Sequence, residues 1–229
     1  MSDTAASAYA LNISIVLDTI CPWCYVGKRR VEKAVALAKQ KWPEFEATID
    51  YMPYQLDSSM ENGLDKREVY RKKFGDRAAA IHERVAIAGK EEGITFSFGG
   101  KMSNTLGSHR LVDYARLESS ECQEKAVESL LHRYFELEQD IGDENVLLDA
   151  AQDAGLDRAK TKAYLDSDDG IDAVKQKIKH GQKLGITGVP FYIINDRYGI
   201  SGAETPETFL EAFEKVINCQ KEKNCQDSI

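Results

Sequence analysis

Residues 11–41 read LNISIVLDTICPWCYVGKRRVEKAVALAKQK, and the fold is decided in this stretch. Its opening, LNISIVLD over 11–18, is apolar and rich in β-branched residues, which reads as a buried strand. Val26, Arg30, Val31, Ala34, Val35 and Ala38 then share one helical face running to about Lys41, where Trp42-Pro43 closes the helix. Residues 46–52, EATIDYM, read as a second strand. Strand, helix and strand in that order pair the two strands in parallel. Between the first strand and the helix sits Cys21-Pro22-Trp23-Cys24.

That position gives the two cysteines their meaning. A cysteine at a helix N-terminus meets unpaired backbone N–H groups and the positive end of the helix dipole. Both favour the thiolate, the nucleophile of disulfide exchange. Pro22 suits the first turn, where its missing N–H costs nothing. Two intervening residues set Cys24 about one turn on, within reach of a disulfide to Cys21. Cys21 is therefore expected to be the exposed attacking thiol and Cys24 the inward, resolving one. A tetrahedral zinc site needs four ligands, usually as two pairs. The other spaced pair, Cys219 and Cys225, is loosely spaced and near the tail, so no metal is assigned.

Working outward, the middle of the chain changes character. Tyr70, Phe74, Ala78, Ile81, Val85 and Ala88 step by three and four, predicting one helical stripe across 64–93 with Gly93 as its stop. Further helices are predicted over 105–118, 122–138, 144–154 and 158–165, with Asp143 and Asp157 as caps and no strand pair among them. After a helix over 169–184, GITGVP leads into FYIIN, a DR turn and YGIS, a hairpin. A last helix begins near Thr205-Pro206 and runs to about Cys219, with the final ten residues frayed. The order is βαβ, a helical block, then αββα. This describes an α/β chain: a thioredoxin fold built from 1–62 and 168–229, carrying a large all-helical insertion over 63–167. Pro190, opening a strand in Gly188-Val189-Pro190-Phe191, is accommodated by a cis Val189–Pro190 bond that turns the Val189 backbone toward the dithiol; the plainer reading is a trans proline ending a loop.

Composition narrows the function. The net charge of −8 argues against binding a nucleic-acid backbone. No apolar run approaches the roughly 20 residues of a spanning helix, and MSDTAASAYALN has no basic or long apolar segment of a secretory signal, so a cytoplasmic protein is expected. Five cysteines, unevenly placed, do not make a stapled secreted scaffold; in a reducing compartment a close pair is catalytic or metal-binding.

DTICPWCYVG (18–27), NTLGSHRL (104–111), GITGVPFYII (185–194) and ISGA (200–203) together resemble the DsbA-like thioredoxin family, most nearly its FrnE-type branch, over about residues 11–218. The resemblance implies protein disulfide oxidoreductase activity, with Cys21 as nucleophile, Cys24 as resolving thiol and Pro190 as a cis residue beside them, supported by Pro22, Trp23 and Val189. Periplasmic DsbA has His where this chain has Trp23. Trp cannot act as a cationic donor, so that enzyme's extreme thiolate stabilisation is not carried over. A sister branch, similar to kappa-class glutathione transferases and chromene-carboxylate isomerases, shares the architecture but uses serine in place of Cys21. A glutathione-dependent isomerase or transferase is therefore the alternative.

Asn104, His109 and Arg110 are candidates for a polar wall over the substrate groove; the plainer reading is an Asn cap and a solvated helix start. Asp18 is read either as a proton acceptor acting through water or as a turn residue. Cys219 and Cys225 form a second redox pair, a tail disulfide closed in a turn, or surface thiols, while Cys122 packs as a small hydrophobe. His82, His132 and His180 lack ligand spacing. Exchange of this kind needs no resident cofactor, with glutathione a candidate co-substrate. Its partners are a disulfide- or thiol-bearing protein or a small thiol, with neither nucleic acid nor membrane, and nothing in the sequence specifies an oligomeric state.

Overall fold

The computed structural model describes residues 9–226, with side chains described to residue 222. Strand β1 (Ala10–Leu17) leads into helix α1 (Pro22–Lys41) and strand β2 (Glu46–Pro53). β1 and β2 are parallel, in register from Ala10 opposite Glu46 to Leu17 opposite Pro53. The apolar run of β1 explains its place. Leu11, Ile13, Ile15, Val16 and Leu17 are all buried, which requires cover on both faces of a central strand.

A helical series follows. The two-residue strand β3 (Leu64–Asp65) precedes α2 (Lys66–Phe74), and a short turn of 3₁₀ helix leads to α3 (Ala78–Glu91). The single stripe expected over 64–93 is thus two helices. Gly75 takes φ +56° and ψ −135°, a conformation that breaks the helix and that glycine alone adopts easily. Asp65 caps α2, accepting the Glu68 N–H at 2.9 Å. Gly93, at φ +78°, ends α3 as expected, with Ile94 N–H returning to Gly89 O at 2.8 Å. β3 pairs antiparallel with β4 (Lys101–Met102), a pair too short to leave a periodic signal in the sequence. Helices α4 (Leu106–Glu118), α5 (Ser120–Phe135), α6 (Glu144–Asp153) and α7 (Arg158–Asp166) follow. The Asp143 and Asp157 side chains cap α6 and α7.

The chain returns to the sheet through α8 (Ile171–Lys183), strands β5 (Phe191–Ile194) and β6 (Tyr198–Ser201), and helix α9 (Pro206–Gln226). Strand order is β2-β1-β5-β6, with β5 antiparallel to both neighbours. The hairpin turns on Asn195-Asp196 rather than on the DR pair, because both turn residues take positive φ, 50° and 53°, which Asn and Asp tolerate. α9 stays helical past Cys219 to Gln226. The side chain of Cys225, and with it the pairings considered for Cys219 and Cys225, lies outside the described residues.

One close approach fixes how the dithiol helix lies on the sheet. A Cβ on Gly27 of α1 would come within 2.1 Å of the Tyr192 hydroxyl on β5. Only glycine lets α1 seat there. Tyr192 in turn packs edge-on against Phe209 of α9, centroids 4.6 Å apart. Among the described residues no helix is long and apolar enough to cross a membrane.

Candidate active site

The parallel pairing of β1 with β2 brings the turn after β1 to the end of the sheet, where α1 begins. Cys21 is the N-cap of α1, with extended φ −91° and ψ 113°, and Pro22 occupies the first helical position. Cys21 N–H donates to Asp18 O and Cys24 N–H to Cys21 O, each at 3.0 Å, which closes a tight first turn around the two sulfurs. Cys24 is wholly buried. Burial first, then a hydrogen bond to the Cys21 side chain and that group's charge, push the Cys24 thiol well above the ordinary cysteine range.

The Val189–Pro190 peptide bond is cis, and the Val189 carbonyl accepts the Cys21 thiol at 3.6 Å. Gly202, in the ISGA segment, donates its N–H to Pro190 O at 2.9 Å, so the two C-terminal motifs meet beside the first.

Cys21 is not the open thiol expected from its place at the strand end. It is only 5% exposed, because the segment after β2 and the helices α2 and α3 roof it over. Between roof and dithiol lies a cavity of about 360 Å3, with Cys21 and Trp23 in its wall. Leu56 and Met60 come from the segment after β2; Tyr70 and Phe74 come from α2 and Ile81 from α3. Its charged groups are Asp57 and Lys73. The Ser59 hydroxyl and N–H, at 2.7 and 3.0 Å, hold the Asp57 carboxyl below its usual range, helped by the charge of Lys73. The Tyr70 hydroxyl is pushed up to about 12, by burial first and then by the charge of Cys21.

Asp18 is wholly buried and holds the roof. Its Oδ2 accepts the Leu56 N–H at 2.7 Å. Its Oδ1 lies 3.3 Å from His109 Nε2, the same nitrogen that faces Tyr54 O at 2.8 Å. A carbonyl only accepts, so Nε2 carries the hydrogen. Asp18 is therefore more than a turn residue: it and His109 tie the dithiol turn and α4 to the segment that covers Cys21.

The three residues considered for a polar groove wall divide. His109 acts as just described. Asn104 clamps the same roof, donating to Ser58 O at 3.0 Å and Met60 O at 3.3 Å while its Oδ1 accepts Gln55 Nε2 and Leu106 N–H at 3.0 Å. Arg110 turns away altogether. Its guanidinium bonds to the carbonyls of Tyr164, Leu165, Ser167 and Asp169 at 2.7–3.1 Å, filling the unpaired carbonyls at the end of α7. None of the three lines the cavity over Cys21. Cys122 is half-buried against the core, and Cys219 accepts a hydrogen bond from the Tyr198 hydroxyl at 3.3 Å. His82 is sandwiched between Tyr70 and Phe98, ring centroids 4.6 and 4.1 Å away.

The cavity-lining side chains Tyr70, Phe74 and Ile81 belong to the apolar stripe visible in the sequence, but a stripe does not distinguish a packed core from the wall of a cavity. The Asp18–His109 contact leaves no signal in the sequence, since it joins segments distant along the chain.

Comparison with known proteins agrees with this geometry. The model of the DSBA-like thioredoxin domain family matches residues 12–214. The protein YwbO of Bacillus subtilis (strain 168), itself uncharacterized, is 26% identical over 220 residues, covering 93% of this chain and 98% of that one. The crystal structure of the probable DsbA oxidoreductase SCO1869 from Streptomyces coelicolor superimposes with a TM-score of 0.82 at 27% identity, covering 90% of this chain and 89% of that one. A 2-hydroxychromene-2-carboxylate isomerase shares the fold alone, with a TM-score of 0.65 at 14% identity over 93% of this chain and 98% of that one.

Proposed function

The chain belongs to the family of DsbA-like thioredoxin domains, and from that premise we propose that it is a thiol–disulfide oxidoreductase exchanging disulfides through Cys21 and Cys24. The observation that carries this reading is the asymmetry of the pair. Cys21 lines a cavity at the start of α1, while Cys24 lies behind it, buried and held protonated. In reduction, the Cys21 thiolate attacks one sulfur of a substrate disulfide. A bond forms to that sulfur, and the other leaves as a thiolate. Cys24 then gives up its proton and attacks Cys21, forming the Cys21–Cys24 disulfide and releasing the second substrate thiolate. Run backwards, the same steps oxidise a dithiol. Val189 O lies beside the reacting sulfur, and Pro22, Trp23 and Pro190 shape its surroundings.

The order of the motifs supports an assignment to the FrnE-type branch. The sheet strands and the helices between them support dividing it into a thioredoxin part, 1–62 and 168–229, and an inserted part, 63–167. The exchange needs no resident cofactor; a disulfide- or thiol-bearing protein or a small thiol is its partner, with glutathione a candidate co-substrate. The sparse cysteines favour the cytosol, where the resting pair is the dithiol and reduction or isomerisation the dominant direction.

Redox titration of the pair against glutathione, read by mass, tests the reading. A Cys21–Cys24 bridge should appear cooperatively. Cys21→Ser should abolish turnover, and Cys24→Ser should arrest it at a mixed disulfide. Full activity in Cys24→Ser would instead favour the glutathione-dependent isomerase or transferase reading, which needs no resolving thiol.

A further inference from the structure

We propose that the disulfide exchanged at Cys21 is a small molecule carrying a bulky apolar group on its sulfur, an arylalkyl disulfide, rather than glutathione disulfide or a polypeptide. This rests on the dithiol reading and adds to it the class of substrate.

Three observations carry it. Cys21 has 5% of its surface exposed, and its thiol already rests on Val189 O. An extended polypeptide needs an open groove along the attacked sulfur, and the roof of Leu56, Met60 and α2 stands over it. The space that remains is about 360 Å3, near the lower end of the roughly 300–1,000 Å3 typical of small-molecule pockets. It admits one compact group. Its wall presents carbon from Trp23, Leu56, Met60, Phe74 and Ile81, the lining that retains an aromatic or branched substituent.

Charge argues against glutathione. That tripeptide brings two carboxylates and an ammonium. The cavity wall sets one cation, Lys73, and one carboxylate, Asp57, against those two carboxylates. At least one of them would find no cation in the wall, which is costly. Asn104, His109 and Arg110, the other polar side chains considered for the groove, are all engaged elsewhere.

The reaction balances without further reagents. The Cys21 thiolate takes one arylalkyl sulfur and expels the other as thiolate. Cys24 loses its proton to the expelled thiolate through solvent and displaces the second. One disulfide is reduced to two thiols, and one Cys21–Cys24 disulfide forms. A small uncharged dithiol, which the same cavity admits, then restores the pair and is itself oxidised to its cyclic disulfide.

The test mixes the reduced full chain with dibenzyl disulfide, oxidised glutathione or insulin and follows Cys21–Cys24 bridging by mass, with Trp23 emission as an optical reporter. Dibenzyl disulfide should react about 100-fold faster than oxidised glutathione, within the range by which apolar pockets discriminate, and faster still than insulin. Ile81→Trp, which fills the cavity, should cut that preference by at least tenfold. Ile81→Ala, which widens it, should move the optimum from benzyl toward naphthylmethyl disulfide. Equal or faster bridging by oxidised glutathione or insulin overturns the proposal, as does a preference untouched by both variants. Diamide separates the two levels. If diamide bridges the pair while dibenzyl disulfide has no advantage, the dithiol reading stands and the substrate class falls. If diamide forms no bridge, the dithiol reading falls as well.

Discussion

Asp18 Oδ1 lies 3.3 Å from His109 Nε2, both side chains being buried, and this contact links the dithiol turn to a helix from the middle of the chain. The imidazole N–H is aimed at Tyr54 O at 2.8 Å, so Oδ1 is left without a hydrogen bond of good geometry. A carboxylate held in this way beside Cys24 adds to the burial that keeps that thiol protonated.

The first prediction concerns that thiol. Its folded pKa is raised, so Cys24 stays protonated through neutral pH and iodoacetamide should modify Cys21 well before it. The linkage has a definite sign. A raised folded pKa leaves stability intact below the unfolded value near 8.5 and erodes it as pH rises beyond. Asp18→Asn removes a charge that disfavours the thiolate and should shift Cys24 modification to lower pH. Alkylation monitored by mass between pH 6 and 11 checks both; a Cys24 that reacts at neutral pH as fast as Cys21 contradicts them.

The second concerns Gly27. A methyl there would meet the Tyr192 hydroxyl at 2.1 Å, with Pro190 Cγ at 3.1 Å and Ala203 Cβ at 3.3 Å, all in a packed interior. Gly27→Ala should cost about 1–3 kcal/mol by overpacking. The Tyr192 hydroxyl is buried without a partner, so Tyr192→Phe alone should be neutral or slightly stabilising. In the Tyr192→Phe background Gly27→Ala should cost less. Urea denaturation of the four proteins of the cycle measures the coupling.

How much of this was legible in the sequence depends on the range of the interaction. β1, α1 and β2 carry their own periodicity and turn chemistry, and the strand-to-helix position of Cys21-Pro22-Trp23-Cys24 follows from them. The cis Val189–Pro190 bond was not fixed by its own segment, where a trans proline ending a loop was the plainer reading; the resemblance carried by the dithiol motif pointed to it. The break at Gly75 was not legible, since the apolar stripe continues across it and only the backbone angle interrupts the helix. Nor was the covering of Cys21, which depends on where α2 and the segment after β2 come to rest. The Arg110 guanidinium stood in a suggestive motif, yet its fate was decided by carbonyls at the end of α7, far along the chain.

The third prediction follows from Arg110. Arg110→Ala strips the guanidinium from the Leu165, Ser167 and Asp169 carbonyls and should cost about 2–3 kcal/mol, in the range for losing charged hydrogen bonds. Arg110→Lys should recover little, because an ammonium cannot reproduce the planar fork. Disulfide exchange per folded molecule should be unchanged in both, since the side chain does not line the cavity. A loss of exchange without a loss of stability would return Arg110 to the groove.

The last prediction concerns Lys66, buried on α2 with Nζ donating to Tyr134 O at 3.0 Å and lying 3.6 Å from the Tyr134 ring centroid. Burial depresses its pKa to about 8, against the pull of Glu138 and Asp140. A lysine depressed in the fold carries its full penalty below pH 8, because the unfolded chain binds a proton more readily. The penalty shrinks as pH rises toward the unfolded value near 10.4. Lys66→Met keeps the apolar stem and discards the buried charge, so it should stabilise the protein at pH 7 by about 1–2 kcal/mol once the lost hydrogen bond is set against the relieved desolvation. That advantage should vanish by pH 10. Because Cys24 titrates identically in both proteins, the difference between their urea midpoints isolates Lys66. A variant that is less stable than the parent at pH 7 would show that the Tyr134 contacts outweigh the cost of burying the charge.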